Sequence, residues 1–443
     1  MEPSKKKMKL EEQEEQEEQE DLQKSPQKSI LELNDDCLEE IFSYFSIEEL
    51  VEVDKVCPRF QNVAEEYFYR KQKVLKVIGE LHRRTQIADL AERMGPYVST
   101  LKINDADLRP RFTYLELFSI LQPLYMKCIN LEHLFIKEID LRTHLPFLKS
   151  IFKTLKTAKL VNCKLTARIG ICLKNASNLE SLSLVGELRI FVKFIPALKC
   201  QLKELDLRGW SNIYEGPYFA DFCRGNQKLE SLAFSFKKNT PESVMSNLNE
   251  LKNLQKLYIQ NPDCAPATTI VPVLARLTHL TIEDYQLQRS QGIHNMIVFI
   301  DHIKDSVEYL TVSVQYAEES TQILKKFTRL KFLKNVMYHW NDSNLANINI
   351  NCRRTLEELH IINSRFVTDT GLLQLLKDCS NLKTLNLRNC SKISNDLIIG
   401  LLPFLKERSH SLEIWVHGTN ITRAIQEVLQ LCGNQKIKLN WEE

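Results

Sequence analysis

The chain has 443 residues, of which 26% are charged, and its formal net charge is only +2. This length predicts several domains or a repeat array rather than one compact core. The near-neutral charge argues against a bulk electrostatic affinity for nucleic acid or for membrane. The twelve cysteines include no CxxC pair, unlike a zinc ribbon or a disulfide framework. The start, MEPSKKKMKL, does not resemble a signal peptide. We therefore expect a reducing compartment, cytoplasmic and/or nuclear.

Residues 1–29 form a charged segment of low complexity. A lysine cluster at Lys5–Lys9 is followed by a Glu/Gln run at 11–20. Such a composition predicts disorder, and the run lacks the apolar a and d positions of a coiled coil. The lysine cluster resembles a short nuclear localisation signal, and a solvated charged tail is the alternative.

The spacing of apolar residues in 30–70 predicts three short amphipathic helices. Leu38 and Phe42 belong to an apolar stripe on the first helix. Ser46 begins a capping box for the second helix, and Pro58 suits the first position of the third. Helices this small bury little surface alone, so we expect the unit to rest on a partner protein.

This helical pattern resembles the F-box. The family usually has a Leu-Pro pair at its start, whereas this chain has Leu33-Asn34, and Asn34 can cap the first helix instead. The resemblance implies binding to the Skp adaptor and, through it, to cullin and RING subunits. The predicted adaptor-binding residues are Leu33, Asn34, Leu38, Ile41, Phe42, Leu50, Val56, Cys57 and Phe60.

Residues 71–97 keep a helical spacing of apolar residues until Gly95-Pro96 ends it. We interpret this segment as a helical coupler that holds the F-box at a fixed angle to the rest of the chain.

Residues 98–443 repeat the unit L-x-x-L-x-L, as in Leu131-Leu134-Ile136 and Leu382-Leu385-Leu387. Successive units are about 23 to 30 residues apart, close to the leucine-rich-repeat period. About twelve repeats are predicted, with a cap at the C-terminus. Residues 367–390 resemble the cysteine-containing repeat subtype of F-box proteins with leucine-rich repeats. The predicted fold class is therefore α/β: a three-helix F-box followed by a curved leucine-rich-repeat solenoid, with a parallel sheet inside and helices outside.

Binding is the predicted role of the repeats, because the sequence contains no phosphate loop, no G-x-S-x-G elbow and no HExxH motif. We expect no catalytic residue, no metal and no cofactor. The x residues of each repeat, and those just after it, point to the concave face. Aromatic and arginine side chains there are typical of interfaces. The predicted substrate-binding residues are Phe135, Asp206, Arg208, Trp210, Tyr258, Tyr309, Phe332, His360, Asn386 and Arg388.

The resemblance implies the substrate-recognition subunit of an SCF-type E3 ubiquitin ligase, a non-catalytic receptor that holds a protein substrate for ubiquitination. Two alternatives remain open. One is a leucine-rich-repeat scaffold with a degenerate F-box, motivated by Asn34. The other is a repeat-type regulator of a small GTPase. Neither nucleic acid nor membrane is an expected partner.

Overall fold

The computed structural model describes residues 29–71, 73–77, 84–104, 114–186, 202–209, 218–237, 240–261, 265, 272–284, 292–314, 317–336, 338–408 and 410–442. The predicted disordered tail, except for Ser29, and the predicted site residue Trp210 lie outside the described residues. None of the helices in these ranges is both long enough and apolar enough to cross a membrane.

One parallel sheet of fifteen strands runs through the described part of the chain, and the order of its strands is their order in the sequence. This architecture confirms the predicted α/β repeat fold, since a parallel pair requires a crossover, which here is often helical. The strands are β1 (Val74–Val77), β2 (Thr100–Asn104), β3 (His133–Lys137), β4 (Thr157–Val161), β5 (Ser181–Val185), β6 (Glu204–Asp206), β7 (Ser231–Ser235), β8 (Lys256–Gln260), β9 (His279–Glu283), β10 (Tyr309–Ser313), β11 (Phe332–Asn335), β12 (Glu358–Ile361), β13 (Thr384–Asn386), β14 (Leu412–Trp415) and β15 (Ile437–Asn440).

Three helices precede the sheet, and most of the others connect its strands. A π-helical segment, Ala64–Tyr69, continues the third helix. The helices are α1 (Asp35–Phe42), α2 (Ile47–Val53), α3 (Pro58–Val63), α4 (Arg84–Met94), α5 (Tyr114–Lys127), α6 (Leu145–Ile151), α7 (Ile169–Lys174), α8 (Tyr218–Gly225), α9 (Ser243–Asn247), α10 (Gly292–Ile303), α11 (Ala317–Leu324), α12 (Asp342–Ala346), α13 (Ile350–Thr355), α14 (Asp369–Leu376), α15 (Asn395–Leu401) and α16 (Ala424–Leu431).

Side chains alternate along each strand, and this alternation separates the core from a solvent-facing surface. In β3, Leu134 and Ile136 are buried, whereas Phe135 between them is only partly buried. The register places the same repeat positions side by side, so that Leu385 lies between Leu359 and Ile414. The second and third apolar residues of each L-x-x-L-x-L unit therefore lie in the core. We call the opposite face, formed by the x positions, the open face of the sheet.

Buried cysteines follow the ends of two strands, as the repeat consensus predicts. The Cys163 thiol donates to the Ile136 carbonyl at 3.4 Å, and the Cys390 thiol donates to the Ile361 carbonyl at 3.1 Å. Asn389, the residue before Cys390, has a left-handed φ of 58°, a conformation that Asn tolerates better than most residues. Burial raises the pKa of both thiols to about 11. Both cysteines are thus buried packing residues of the repeats.

The segment predicted as a helical coupler, residues 71–97, contains a strand as well as a helix. β1 pairs in parallel with β2, with Val74 opposite Thr100, so the sheet begins well before residue 98. The apolar spacing from Val74 onward fits a helix, but pairing with β2 satisfies the backbone of this stretch instead. The helical part of the described coupler is α4, which a short 3-10 helix at Gly95–Tyr97 follows. The solenoid and the F-box are therefore closer in sequence than the repeat pattern indicated.

Candidate functional site

The three F-box helices begin as their sequence predicts, the first two with a side-chain cap and the third with a proline. The Asn34 side chain accepts a hydrogen bond from the Cys37 amide at 2.9 Å, so Asn34 is the N-cap of α1. Ser46 and Glu49 form the reciprocal capping box of α2, with hydrogen bonds of 3.3 and 2.8 Å. Pro58 occupies the first turn of α3. The departure at Asn34 from the usual proline thus leaves the start of α1 stabilised.

Four of the predicted adaptor-binding residues are buried inside the F-box: Leu38, Phe42, Leu50 and Phe60. The Phe42 and Phe60 rings meet edge to face, with centroids 5.3 Å apart. A partner cannot reach these side chains, because α2 packs against α4 and one continuous core joins the F-box to the repeats. Our expectation that this apolar face waits for a partner protein is therefore corrected: the chain itself covers it. Ile41 and Cys57 are partly buried against the same core.

Other apolar side chains of the F-box are exposed, and we call them the F-box apolar surface. Val56 is 70% exposed and Tyr44 is 80% exposed. Of this set the sequence analysis predicted Leu33 and Val56, and it missed the other four. A helical period identifies the inward stripe, whereas exposed apolar residues in turns carry no periodic signal. The F-box apolar surface consists of Ile30, Leu31, Leu33, Tyr44, Phe45 and Val56.

Arg59 on α3 holds the first part of this surface in place. Its guanidinium donates to the Leu31 and Leu33 carbonyls, and it pairs with the Asp35 carboxylate at 2.7 Å. Arg59 therefore fixes the backbone on which two exposed leucines are presented. The planar guanidinium, with several donors in a fixed geometry, suits such a multiple contact.

Polar contacts tie the F-box to α4 beyond the shared core. The buried Asp54 carboxylate accepts from the Tyr69 hydroxyl at 3.0 Å and lies 3.3 Å from Arg93 of α4. Lys55 pairs with Asp89 of α4 at 2.8 Å. Burial, the largest cause, raises the pKa of Asp54 although Tyr69 and Arg93 act in the opposite direction. These contacts predict a stiff join between the F-box and the solenoid.

Four aromatic side chains stack across neighbouring strands of the open face, and we call them the aromatic ladder: His279, Tyr309, Phe332 and His360. The first two rings are parallel with centroids 4.2 Å apart, and the following steps measure 6.2 and 5.0 Å. Burial lowers the pKa of both histidines, which favours an uncharged ladder at neutral pH. The sequence analysis named the last three residues as substrate-binding and did not include His279, because sequence spacing alone does not show which side chains are neighbours across the sheet.

Three further predicted substrate-binding residues, Arg208, Tyr258 and Arg388, lie in arginine-aromatic pairs on the open face. Asn386, which was also predicted to bind substrate, is instead buried. Arg208 pairs with Asp206 at 2.8 Å, and its guanidinium lies 4.3 Å from the Tyr258 ring centroid. Arg388 donates to the Asn386 side chain at 3.3 Å, and its guanidinium lies 4.9 Å from the ring centroid of a residue that the sequence analysis missed, Trp415. These contacts hold arginine and aromatic groups in fixed positions.

Phe135 lies apart from these groups, among lysines that the sequence analysis also missed. Its ring centroid is 5.6 Å from the Lys159 ammonium. We call Lys76, Lys102 and Lys159 the basic strip; all three are exposed on the open face. Within the described ranges, no group of three or more His, Cys, Asp or Glu side chains is placed to hold a metal ion.

Comparison with known proteins identifies one domain. Residues 30–71 match the F-box domain family. No curated protein matches the sequence. Similar solved structures include the internalin inlF from Listeria monocytogenes, which is 15% identical, with 80% of this chain and 89% of that chain covered and a TM-score of 0.38. The Rad7 and Elc1 complex in yeast is also similar, at 15% identity, with 99% and 97% covered and a TM-score of 0.44. The family match identifies residues 30–71 as an F-box domain. The strand order of the described chain and its L-x-x-L-x-L units, independently of these neighbours, make the part that follows a parallel-sheet solenoid of leucine-rich-repeat type.

Proposed function

We propose that the chain is the substrate-recognition subunit of an SCF-type E3 ubiquitin ligase. The observation that carries this proposal is the F-box domain at residues 30–71, whose apolar surface is exposed while its own core is buried. An exposed set of aliphatic and aromatic side chains on one small unit is typical of a protein interface. In the proposed complex this surface binds a Skp-type adaptor, which reaches the cullin and RING subunits.

The second part of the proposal assigns the protein substrate to the open face of the sheet. The aromatic ladder and the two arginine-aromatic pairs support this assignment, since Arg, Tyr and Trp side chains dominate the binding energy of interfaces. The solenoid then performs no bond chemistry. It raises the effective concentration of substrate lysines near a ubiquitin-conjugating enzyme, and a stiff join to the F-box keeps that geometry constant.

Val56→Glu tests the adaptor interface. We expect the affinity for a purified Skp-type adaptor to fall at least about tenfold, because complex formation would bury an unpaired carboxylate. Isothermal titration calorimetry on the full chain measures this change. Ile399→Glu on α15 is the matched control, since Ile399 is an equally apolar, exposed side chain far along the solenoid, and it should leave the affinity unchanged. A folded wild-type chain that fails to bind the adaptor would favour the scaffold alternative.

Arg59→Ala tests whether the adaptor binds an F-box apolar surface that Arg59 holds in place before binding. Loss of the guanidinium frees the segment that carries Leu31 and Leu33, so adaptor affinity should fall several-fold, while the free energy of unfolding drops by only about 1 kcal/mol. Titration calorimetry and urea unfolding measure the two effects. Arg70→Ala, which removes an exposed ion pair with Glu65 on the same unit, is the control. Equal adaptor affinities for wild type and Arg59→Ala would contradict this role.

A further inference from the structure

The basic strip lies in one row of the sheet, at the same position of successive strands. Lys76 is opposite Lys102, which is opposite Phe135, which is opposite Lys159. Neighbouring strands are about 4.8 Å apart, so this row of four residues spans about 14 Å. Three ammonium groups and one aromatic ring therefore line a short track across β1–β4.

Within the described residues, no carboxylate neutralises the charge of this track. None of the three lysines forms an ion pair with a described carboxylate. No Asp or Glu occupies an open-face position of strands β1–β5, and the first ones along the sheet are Glu204 and Asp206 on β6. Like charges that face each other on adjacent strands are destabilising, and Lys76 faces Lys102. A bound anion would relieve this repulsion.

We propose that the basic strip binds an acidic, extended peptide segment of a protein partner. Its carboxylates pair with Lys102 and Lys159, and an apolar side chain of the peptide packs on Phe135 between them. The track lacks arginine, whose bidentate fork is the usual complement of phosphate groups, so we assign carboxylates rather than phosphorylated residues. A nucleic acid strand would need a longer basic groove and several stacking rings. Binding of the acidic peptide does not depend on the proposed function. Only the identification of the partner as a ubiquitination substrate rests on that function.

A double variant, Lys102→Ser with Lys159→Ser, tests the strip directly. Serine suits these positions because Ser183 occupies the same row on β5. The probe is a fluorescein-labelled, glutamate-rich peptide with one central leucine, titrated with the full chain and followed by fluorescence anisotropy. We expect the double variant to bind about tenfold more weakly, since it loses two exposed charge pairs, and we expect added salt to weaken wild-type binding. Lys334→Ser, a lysine of the same row on β11, is the matched control and should bind like wild type.

Four kinds of result would overturn the inference. In the first, the double variant binds the peptide as tightly as wild type, or Lys334→Ser binds as weakly as the double variant. In the second, a peptide with glutamine in place of glutamate binds equally well. In the third, a phosphoserine version binds more than about tenfold tighter, which would assign the strip to phosphate. In the fourth, a single-stranded oligonucleotide displaces the peptide at lower concentration, which would assign it to nucleic acid.

Adaptor affinity of the same double variant separates this inference from the proposed function. The basic strip and the F-box apolar surface use different residues, so the double variant should bind a Skp-type adaptor like wild type. If wild type binds the acidic peptide but not the adaptor, the ligase proposal fails and the peptide site stands. If wild type binds the adaptor but the peptide site fails its own test, only the present inference falls.

Discussion

Leu385→Ala is expected to lower the free energy of unfolding by about 2 to 5 kcal/mol, the range for removing a fully buried leucine side chain. Leu385 is completely buried in β13, between Leu359 of β12 and Ile414 of β14. The cavity would open between stacked repeats, where each repeat depends on its neighbours. Urea unfolding followed by circular dichroism measures the loss, and hydrogen exchange should show it concentrated in β12–β14.

Thr384→Ala provides the control for this prediction. Thr384 precedes Leu385 on the same strand and lies on the open face, so its replacement should change the unfolding free energy by less than about 0.5 kcal/mol. A loss below about 1 kcal/mol for Leu385→Ala would mean that the repeat phase assigned here is wrong.

Phe42→Ala is expected to cost about 3 to 5 kcal/mol, because the ring is buried and packs edge to face on Phe60. We expect the F-box helices to lose hydrogen-exchange protection, with the far repeats unaffected. Adaptor binding should fall as a consequence of this unfolding. Hydrogen exchange followed by mass spectrometry resolves the two regions.

Phe45→Ala distinguishes an effect on the F-box core from the loss of a contact with the adaptor. Phe45 is 37% exposed, and its ring centroid lies 6.1 Å from that of Phe42. This change should therefore cost much less exchange protection than Phe42→Ala and should weaken adaptor binding mainly through the lost contact. If Phe42→Ala abolished adaptor binding while the helices kept full protection, Phe42 would contact the adaptor directly, as the sequence pattern first indicated.

The repeat fold could be predicted because its signal is carried by buried residues at fixed spacing. Each L-x-x-L-x-L unit places two apolar side chains on one side of a strand, and Leu385 and Leu359, which occupy the same position of this unit, lie side by side in the core. The stretch after Leu330 also forms a strand, β11, although the polar Asn335 occupies one of its buried positions. The caps at Asn34 and Ser46 were predictable for a similar reason, since they depend on residues only a few positions apart.

The groups on the open face could not be predicted in the same way, because lateral neighbours are set by strand register. His279 and His360 are far apart in sequence, and only the alignment of β9–β12 joins them through Tyr309 and Phe332. The basic strip was missed for a related reason: Lys76 was assigned to a helix. The pattern from Val74 onward fits both a helix and a strand, and pairing with β2 decides between them.

In the F-box, a match to the family's apolar pattern does not show whether a residue contacts a partner protein. Leu38 and Val56 both matched the family pattern, but one is buried and the other is 70% exposed. Burial of Leu38 depends on a core shared with distant elements, which no local period reveals. The predicted adaptor contacts therefore divide into residues that shape the unit and residues that a partner can touch.

The order of the strands relates position in the sequence to distance along the sheet. Because strand order follows the sequence, each further strand moves a bound segment about 4.8 Å along the sheet away from β1. The basic strip lies within about 14 Å of β1, whereas the aromatic ladder begins about 38 Å along the sheet. A protein bound at both the basic strip and the aromatic ladder would have its orientation on the sheet fixed. In the proposed ligase complex, the choice of strand would thus set where a bound protein lies relative to the F-box.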